Sequence, residues 1–373
     1  MKTRFVVFAD SHIGTYAGSS FDEDSGLDSR LVDGLKVWDE IEKYAELNSI
    51  KTIIFLGDRF RSSNPQGYIR DLADEKLRNF SKKFKFLCLV GNHDYYTKSS
   101  FYHSYGVGHI FKEELSGLVL FDDPRSVYID DVCFWALPYA RTFSELKVLD
   151  WRHDCCNVLL FHNEAVGAKF PSGMRCEKGL KPEEFKKFDL VLGGHIHLSQ
   201  RIVGSVGGFV GSVTQLRRDD ANQRRGWWDI IIEDKKIEIK EVESSAPKYI
   251  LGEIDLLKGD EWQKYYKDKN WINKMKGNYF ILKGVGSKKV FSTIDRRKLE
   301  QELVIKCELR SCIFEPDIQK NYEFKFPELR NVRTHEEEID IALNRLDRTG
   351  LEIHDLKRVG LKIKEEMNLK GLI

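Results

Sequence analysis

Apolar and polar positions along this chain fall into a strand–helix–strand rhythm that starts almost at once. Residues 4–8, 52–56 and 84–90 are short, nearly continuous apolar runs bounded by polar turns, the pattern of strands buried on both faces. Between the first two, Leu31, Leu35, Trp38, Ile41 and Ala45 recur at helical spacing, and a second helix is expected over residues 70–83. Shorter strands are expected at 117–121, 126–129 and 132–137, set apart by Asp-Asp turns, and further ones at 158–161 and 190–193. Such a rhythm predicts a parallel α/β core with its ligands at the carboxyl edge of the sheet. The paired Trp227 and Trp228 lie in another apolar run and are expected to pack as strand residues on burial tendency.

The residues that close these runs change the picture. The first is followed by Asp10-Ser11-His12, the second by Gly57-Asp58 and the third by Gly91-Asn92-His93-Asp94; the later two lead to His162 and to Gly194-His195-Ile196-His197. Asp10 and His12, two apart, are expected to face one side as their strand ends. A packed core gives no reason for five apolar strands each to end in Asp, Asn or His.

Near Ser244-Ser245-Ala246-Pro247 the composition shifts, which places a boundary between a first domain, 1–245, and a second, 246–332. Residues 258–298 are rich in Lys and Arg, Lys288 and Lys289 among them, with Trp262, Tyr265, Tyr266, Trp271, Tyr279 and Phe291 interleaved. Alone this is an ordinary solvated basic face; it would read as a duplex-facing surface only if the strand-end residues prove to act on phosphodiesters. In 333–373, Thr334 with Glu337 forms a capping box that opens a helix, Thr349-Gly350 breaks it, and a second helix carries Ile353, Leu356, Val359, Ile363 and Met367. Two short amphipathic helices at this position can dock back on the body or suit a partner's groove, the latter at least as well.

Composition narrows the class. The chain has 373 residues, 41% of them apolar, and a formal net charge of +1, so any nucleic-acid contact rests on local patches. No run suggests a membrane span, no signal peptide precedes the first strand, and the 7 cysteines show no disulfide or metal spacing. The expectation is a soluble, cytoplasmic protein that does not engage a membrane.

Asp10, His12, Asp58, Asn92, His162, His195 and His197 together offer carboxylate, amide and imidazole donors without a thiolate. That mixture suits Mn²⁺, Fe²⁺ or Zn²⁺ and disfavours Ca²⁺. It exceeds what one ion needs and fits two ions sharing a carboxylate, which can polarise a phosphoryl group and activate water. His93 is then left over as a general acid for the leaving alkoxide, oriented by Asp94.

In this order, the motifs Asp-x-His, Gly-Asp, Gly-Asn-His-Asp, His and Gly-His-x-His resemble those of the calcineurin-like metallophosphoesterases. Within that family the chain is most similar to the SbcD-type double-strand-break repair nucleases, bacteriophage recombination endonucleases among them; residues 179–185, 209–212 and 225–227 add to the likeness. The resemblance implies a four-layer α/β sandwich of two mixed sheets flanked by helices, with a small α+β capping domain and C-terminal helices. It implies one metal on Asp10, His12, Asp58 and His197 and a second on Asp58, Asn92, His162 and His195, Mn²⁺ above Mg²⁺, Fe²⁺ or Zn²⁺. His93 becomes the catalytic histidine with Asp94 beside it. Arg61, Tyr95, Lys288 and Lys289 are expected to contact DNA, and the terminal helices to dock an SbcC-type coiled-coil ATPase, with room for a homodimer. One position departs from the family: the residue three after Asp58 is Arg61 where many members carry histidine, and a guanidinium cannot act as an acid or base near neutral pH. The competing readings are a phosphatase or cyclic-nucleotide phosphodiesterase on the same scaffold and a non-catalytic DNA-binding scaffold.

Overall fold

The computed structural model describes residues 2–16, 19–96, 115–146, 154–259 and 261–319, with Asp355, Leu356, Arg358, Val359 and Lys362 beyond. The helical pair expected over 333–373, with its partner-docking role, lies outside the described residues apart from those five. No helix among the described residues is long and apolar enough to cross a membrane.

Two six-stranded sheets form the body. The first has the order β12-β11-β1-β2-β3-β4, from β1 (Lys2–Phe8), β2 (Thr52–Phe55), β3 (Lys85–Leu89), β4 (Leu118–Phe121), β11 (Gly226–Glu233) and β12 (Lys236–Glu243). Its strands β1 to β4 run parallel, while β11 and β12 are antiparallel additions. The second has the order β5-β6-β7-β8-β10-β9, from β5 (Arg125–Ile129), β6 (Val132–Leu137), β7 (Cys156–His162), β8 (Leu190–Gly194), β9 (Gln200–Arg201) and β10 (Gly207–Phe209). Here β6, β7, β8 and β10 are parallel, with antiparallel edges. Both sheets are therefore mixed, as expected.

Strand alternation explains the layering. On β1, Phe5 and Val7 point into the cluster between the sheets, whereas Val6 and Phe8 point outward onto α1 (Ser29–Leu47) and α2 (Gly67–Lys83). The α1 stripe Leu31, Leu35, Trp38, Ile41 and Ala45 is buried there, and Asp28 caps the helix by accepting from the Arg30 and Leu31 amides. Trp227 and Trp228, adjacent on β11, go to opposite faces, one under the helices and one between the sheets. A third cluster, with Trp135, Phe161, Phe185 and Phe209, covers the outer face of the second sheet. Each strand buried on both faces reads as an unbroken apolar run.

A third sheet, β13 (Tyr249–Asp255), β14 (Tyr279–Gly286) and β15 (Ser311–Ile318), is entirely parallel and has its own apolar cluster around Phe280, Leu282, Leu299, Leu303 and Phe314. Most of the interleaved aromatics of the basic segment pack here: Tyr265 is buried, Trp262, Tyr266, Trp271 and Phe291 are partly so, and Tyr279 is buried instead against Tyr249, Arg30 and Asp33. They form core, not a stacking platform. Several of the basic residues are paired, Lys276 with Glu308, Lys283 with Asp317 and Arg296 with Glu300.

Arg30, at the start of α1, joins this unit to the body. Its guanidinium lies 4.5 Å from the Tyr16 ring centroid, 5.1 Å from Tyr249 and 4.8 Å from Tyr279. It also donates to the Tyr249 hydroxyl. Nearby, Asp33 accepts from the Tyr279 hydroxyl at 2.6 Å and from Arg310 at 2.9 Å.

Candidate metal centre

The carboxyl ends of β1, β2, β3, β7 and β8 converge on one edge. The loop after β1 is zipped to the loop after β2 by backbone bonds from Asp10 to the Gly57 carbonyl (3.0 Å), His12 to Asp58 (3.1 Å) and Ile13 to Arg59 (2.8 Å). Asp10 and His12 are thus placed beyond the strand, in left-handed backbone conformations with φ of 51° and 43°, and not by strand alternation. Alternation fails because β1 ends at Phe8 and the chain then turns through two left-handed residues, which aim both side chains into the buried centre. The Trp38 indole donates to the Ser11 hydroxyl at 3.0 Å and ties this loop to α1.

The donors expected from the strand ends come together. Asp10, His12 and His197 can offer one atom each within 4.8 Å of one another, and so can Asp58, His162 and His195, and likewise His12, Asp58 and His93. Asn92 sits with the second group, its side-chain oxygen 2.7 Å from His195 Nδ1 and 3.2 Å from His162 Nε2. Asp58 lies between the groups, with one oxygen 3.6 Å from His12 and the other 3.3 Å from His162. All but Asn92, His93, His195 and His197 of these are buried.

Electrostatics suit cations. His12 Nε2 and His197 Nε2 face each other at 3.0 Å, two imidazole nitrogens aimed at a common point. Burial and the proximity of His197 hold His12 well below its ordinary value, and burial takes His197 down to about 4. Burial and the charge on His162 push His195 to about 3. Unprotonated imidazoles beside buried carboxylates are what a divalent ion binds. Burial also opposes charge on His162, but the Asp58 carboxylate outweighs it and lifts His162 to about 9. Burial lifts Asp10 to about 7 against the pull of His162, while Asp10 accepts the His195 backbone N–H. A crowded set of carboxylate, amide and imidazole donors, with no thiolate among them, fits two hard-to-borderline divalent ions.

His93 stands at the rim. Its ring lies 4.8 Å from that of His12, and its Nδ1 is 2.8 Å from the Arg61 carbonyl oxygen. A carbonyl only accepts, so Nδ1 carries the hydrogen and Nε2 faces the site. The orienting role expected of Asp94 is therefore filled by Arg61. Asp94 is fully buried and accepts from the backbone amides of Asp58, Arg59 and Gly91 at 2.9, 3.0 and 2.9 Å. It knits the β2 and β3 loops together, and three donated amides leave its carboxylate committed below the site. Burial and the Asp58 charge lift it to about 6.

Arg61 is exposed, donates to the Thr15 carbonyl and lies 4.1 Å from the Tyr16 ring; Tyr16 in turn donates to the His12 carbonyl at 2.9 Å. Tyr95 is half-buried beside His93. Lys288 and Lys289 belong to the third sheet's unit, in the one-turn helix Lys288–Phe291 capped by Ser287. Sequence reasoning missed Tyr139, whose ring lies 5.9 Å from His195 and 6.4 Å from His162, and Glu164, 3.8 Å from His195 Nε2. A signal existed for both: Tyr139 follows β6 and Glu164 follows β7 by two residues, on the same edge as the histidines.

A model of the calcineurin-like phosphoesterases matches residues 3–199. The SbcD component of the nuclease SbcCD from Staphylococcus epidermidis is 23% identical over 311 residues, 75% of this chain and 78% of that one. Among solved structures, a purple acid phosphatase from yellow lupin seeds (Lupinus luteus) aligns with a TM-score of 0.41 at 13% identity, over 67% of this chain. The chain spans about half of that phosphatase, 53% of its length. A dimetal phosphatase from Danio rerio aligns with a TM-score of 0.41 at 11% identity, over 65% of this chain and 97% of its own.

Proposed function

The chain belongs to the calcineurin-like phosphoesterase family, whose members are metal-dependent hydrolases, and on that premise we propose that it is a DNA phosphodiesterase working with a coiled-coil ATPase partner. The observation that supports this most is the gathered set of oxygen and nitrogen donors, with His93 at its rim bonded through Nδ1 to the Arg61 carbonyl. The likeness to the SbcD component of a nuclease along three quarters of the chain turns the reading from phosphatase towards nuclease.

One ion would be held by Asp10, His12, Asp58 and His197 and the other by Asp58, Asn92, His162 and His195. When bound, two divalent ions, Mn²⁺ foremost, supply Lewis-acid charge at the phosphoryl group and lower the pKa of water. The chain's own residues do the rest. The Arg61 carbonyl accepts from Nδ1 and fixes the His93 ring, so that in the imidazolium form the second proton, on Nε2, can pass to the departing oxygen and leave the ring neutral. Asp94 holds the three amides that shape the Asp58 and Gly91 turns. Arg61 places a cation at the rim where a phosphate chain would pass, a bidentate partner in place of a proton donor. Lys288 and Lys289 extend the contact along DNA, and the segment 333–373 docks the ATPase.

The deciding experiment is cleavage of linear duplex DNA with Mn²⁺, Mg²⁺ or Zn²⁺, alone and with the ATPase, against hydrolysis of p-nitrophenyl phosphate. Mn²⁺-dependent DNA cleavage that the ATPase enhances supports the reading. Turnover of the monoester without any DNA cleavage would leave a phosphatase.

A further inference from the structure

Tyr16, in the loop after β1, is held by several groups at once. Its hydroxyl donates to the His12 carbonyl at 2.9 Å, and its backbone N–H donates to Asp28, the N-cap of α1, at 3.2 Å. Two guanidinium groups lie over its ring, that of Arg61 at 4.1 Å from the centroid and that of Arg30 at 4.5 Å. We propose that Tyr16 is a positioning residue for proton delivery: its ring holds Arg61, and through Arg61 it holds His93. The inference rests on the phosphodiesterase reading above and names a residue on which the acid of that same site depends.

Each step of that path is a contact. The Arg61 backbone N–H donates to the Ile13 carbonyl at 3.1 Å, and its guanidinium donates to the Thr15 carbonyl, so residue 61 is fastened to the loop at both ends. Between these two points Gly14 lets the chains close up, since a Cβ there would lie 3.0 Å from the Arg61 Cβ. The Arg61 carbonyl then accepts from His93 Nδ1 at 2.8 Å. Arg61 is exposed, and an exposed arginine keeps many rotamers unless something restrains its head. An aromatic face that attracts the cation does so. Arg30 is buried and also lies over Tyr249 and Tyr279, which anchors the Tyr16 ring to packed structure and not to the loop alone. The backbone of His12 has its own support: its N–H donates to the Asp58 carbonyl at 3.1 Å, and the Ile13 N–H to the Arg59 carbonyl at 2.8 Å. Removing the Tyr16 ring therefore loosens the acid and leaves the metal ligands in place.

The test uses the full chain with Mn²⁺ and compares kcat on linear duplex DNA, whose alkoxide leaving group needs a proton, with kcat on bis(p-nitrophenyl) phosphate, whose leaving group does not. In Tyr16→Ala the ratio of the first to the second is expected to fall by at least about tenfold, a part of the 10²–10⁴ that a positioned acid supplies. Tyr16→Phe keeps the ring over which Arg61 lies and is expected to restore most of the ratio. Added to His93→Ala, Tyr16→Ala is expected to cause no further loss on DNA, because the two residues act as a unit. Bound Mn²⁺, by elemental analysis, is expected to be equal in all variants. Tyr16→Leu keeps apolar volume and serves the same comparison if Tyr16→Ala does not fold. An unchanged ratio, equal losses on both substrates, loss of Mn²⁺ or a full further loss in the His93→Ala background would overturn the inference while the phosphodiesterase stands. A wild type that cleaves no DNA would overturn the phosphodiesterase reading and the inference with it.

Discussion

The Nδ1 atom of His93 lies 2.8 Å from the carbonyl oxygen of Arg61. A backbone group thus sets the tautomer of the rim histidine, and the Arg61 side chain is left to face outward. The consequence for kinetics is specific. His93→Ala is expected to lose about 10²- to 10⁴-fold in DNA cleavage, the range of a single general acid. Metal content should be unchanged by elemental analysis. Esters of p-nitrophenol, whose leaving group needs no proton, should lose far less. Loss of metal in this variant would make His93 a ligand.

Asp58 stands between the two donor groups and also accepts the His93 backbone N–H at 2.8 Å. Asp58→Asn should therefore bind neither ion tightly and show no hydrolysis at any pH. Full occupancy of both sites, measured on protein loaded with Mn²⁺ and desalted, would rule out a shared carboxylate.

Acid stability should depend on a site remote from the metals. Asp229 on β11 accepts from Arg4 at 2.6 Å and from Tyr44 at 2.8 Å, joining β1 and α1. Burial works to raise its pKa, but the Arg4 and Tyr44 bonds prevail and hold it below the usual carboxylate range. The pair therefore stabilises the fold above the unfolded value of about 4 and loses that contribution as the pH drops through the folded value. Denaturant midpoints of wild type and Asp229→Asn should differ most at pH 7 and converge in acid. A constant gap from pH 7 to pH 3 would mean the difference is packing alone.

Arg30 is buried among three tyrosine rings, two of which belong to the third sheet. Arg30→Ala should cost about 2 kcal/mol, the scale of a desolvated cation–π contact. Hydrogen exchange should quicken in β13 and β14 and stay unchanged in β1 to β3. Uniform acceleration would show that Arg30 serves the whole body.

If the third sheet's unit faces DNA as proposed, Lys288→Glu with Lys289→Glu should weaken duplex binding and flatten its salt dependence. Each lost phosphate contact lowers the slope of log affinity against log salt by about one. An unaltered slope would return both lysines to a solvated face.

Much of this centre was legible because a strand buried on both faces leaves only its ends to carry polar groups. Asp58, Asn92, His162, His195 and His197 stand out against apolar runs for that reason. Asp10 and His12 stood out equally, but their placement did not follow from strand periodicity, since two left-handed residues decide it. The part played by Asp94 was misread because an acid next to a histidine suggests a side-chain pair, whereas the three amides that bind it come from turns at Asp58, Arg59 and Gly91. Tyr16, Arg30 and Tyr139 went unseen because their meaning lies in partners far along the chain, Tyr249 and Tyr279 for Arg30 and His195 for Tyr139. The aromatics of the basic segment carried two meanings at once, and only their packing around Phe280 and Leu282 separates them.

Gly57, Gly91 and Gly194 meet beneath the gathered donors. A Cβ on Gly91 would strike the Asp58 carboxylate and come within 2.7 Å of the His162 ring; one on Gly57 would come within 2.7 Å of the Gly91 amide nitrogen. One on Gly194 would lie 2.8 Å from both His162 Nδ1 and the Leu56 carbonyl. Gly57 and Gly91 lie just beyond β2 and β3 of one sheet and Gly194 ends β8 of the other, with His162 wedged among them. The spacing between the two sheets at this edge is thus set by hydrogen atoms standing where side chains would be. A methyl at any of the three acts as a shim between the two halves of the molecule. It would part the histidines of the second sheet from the carboxylates of the first, leaving two half-sites where there had been one.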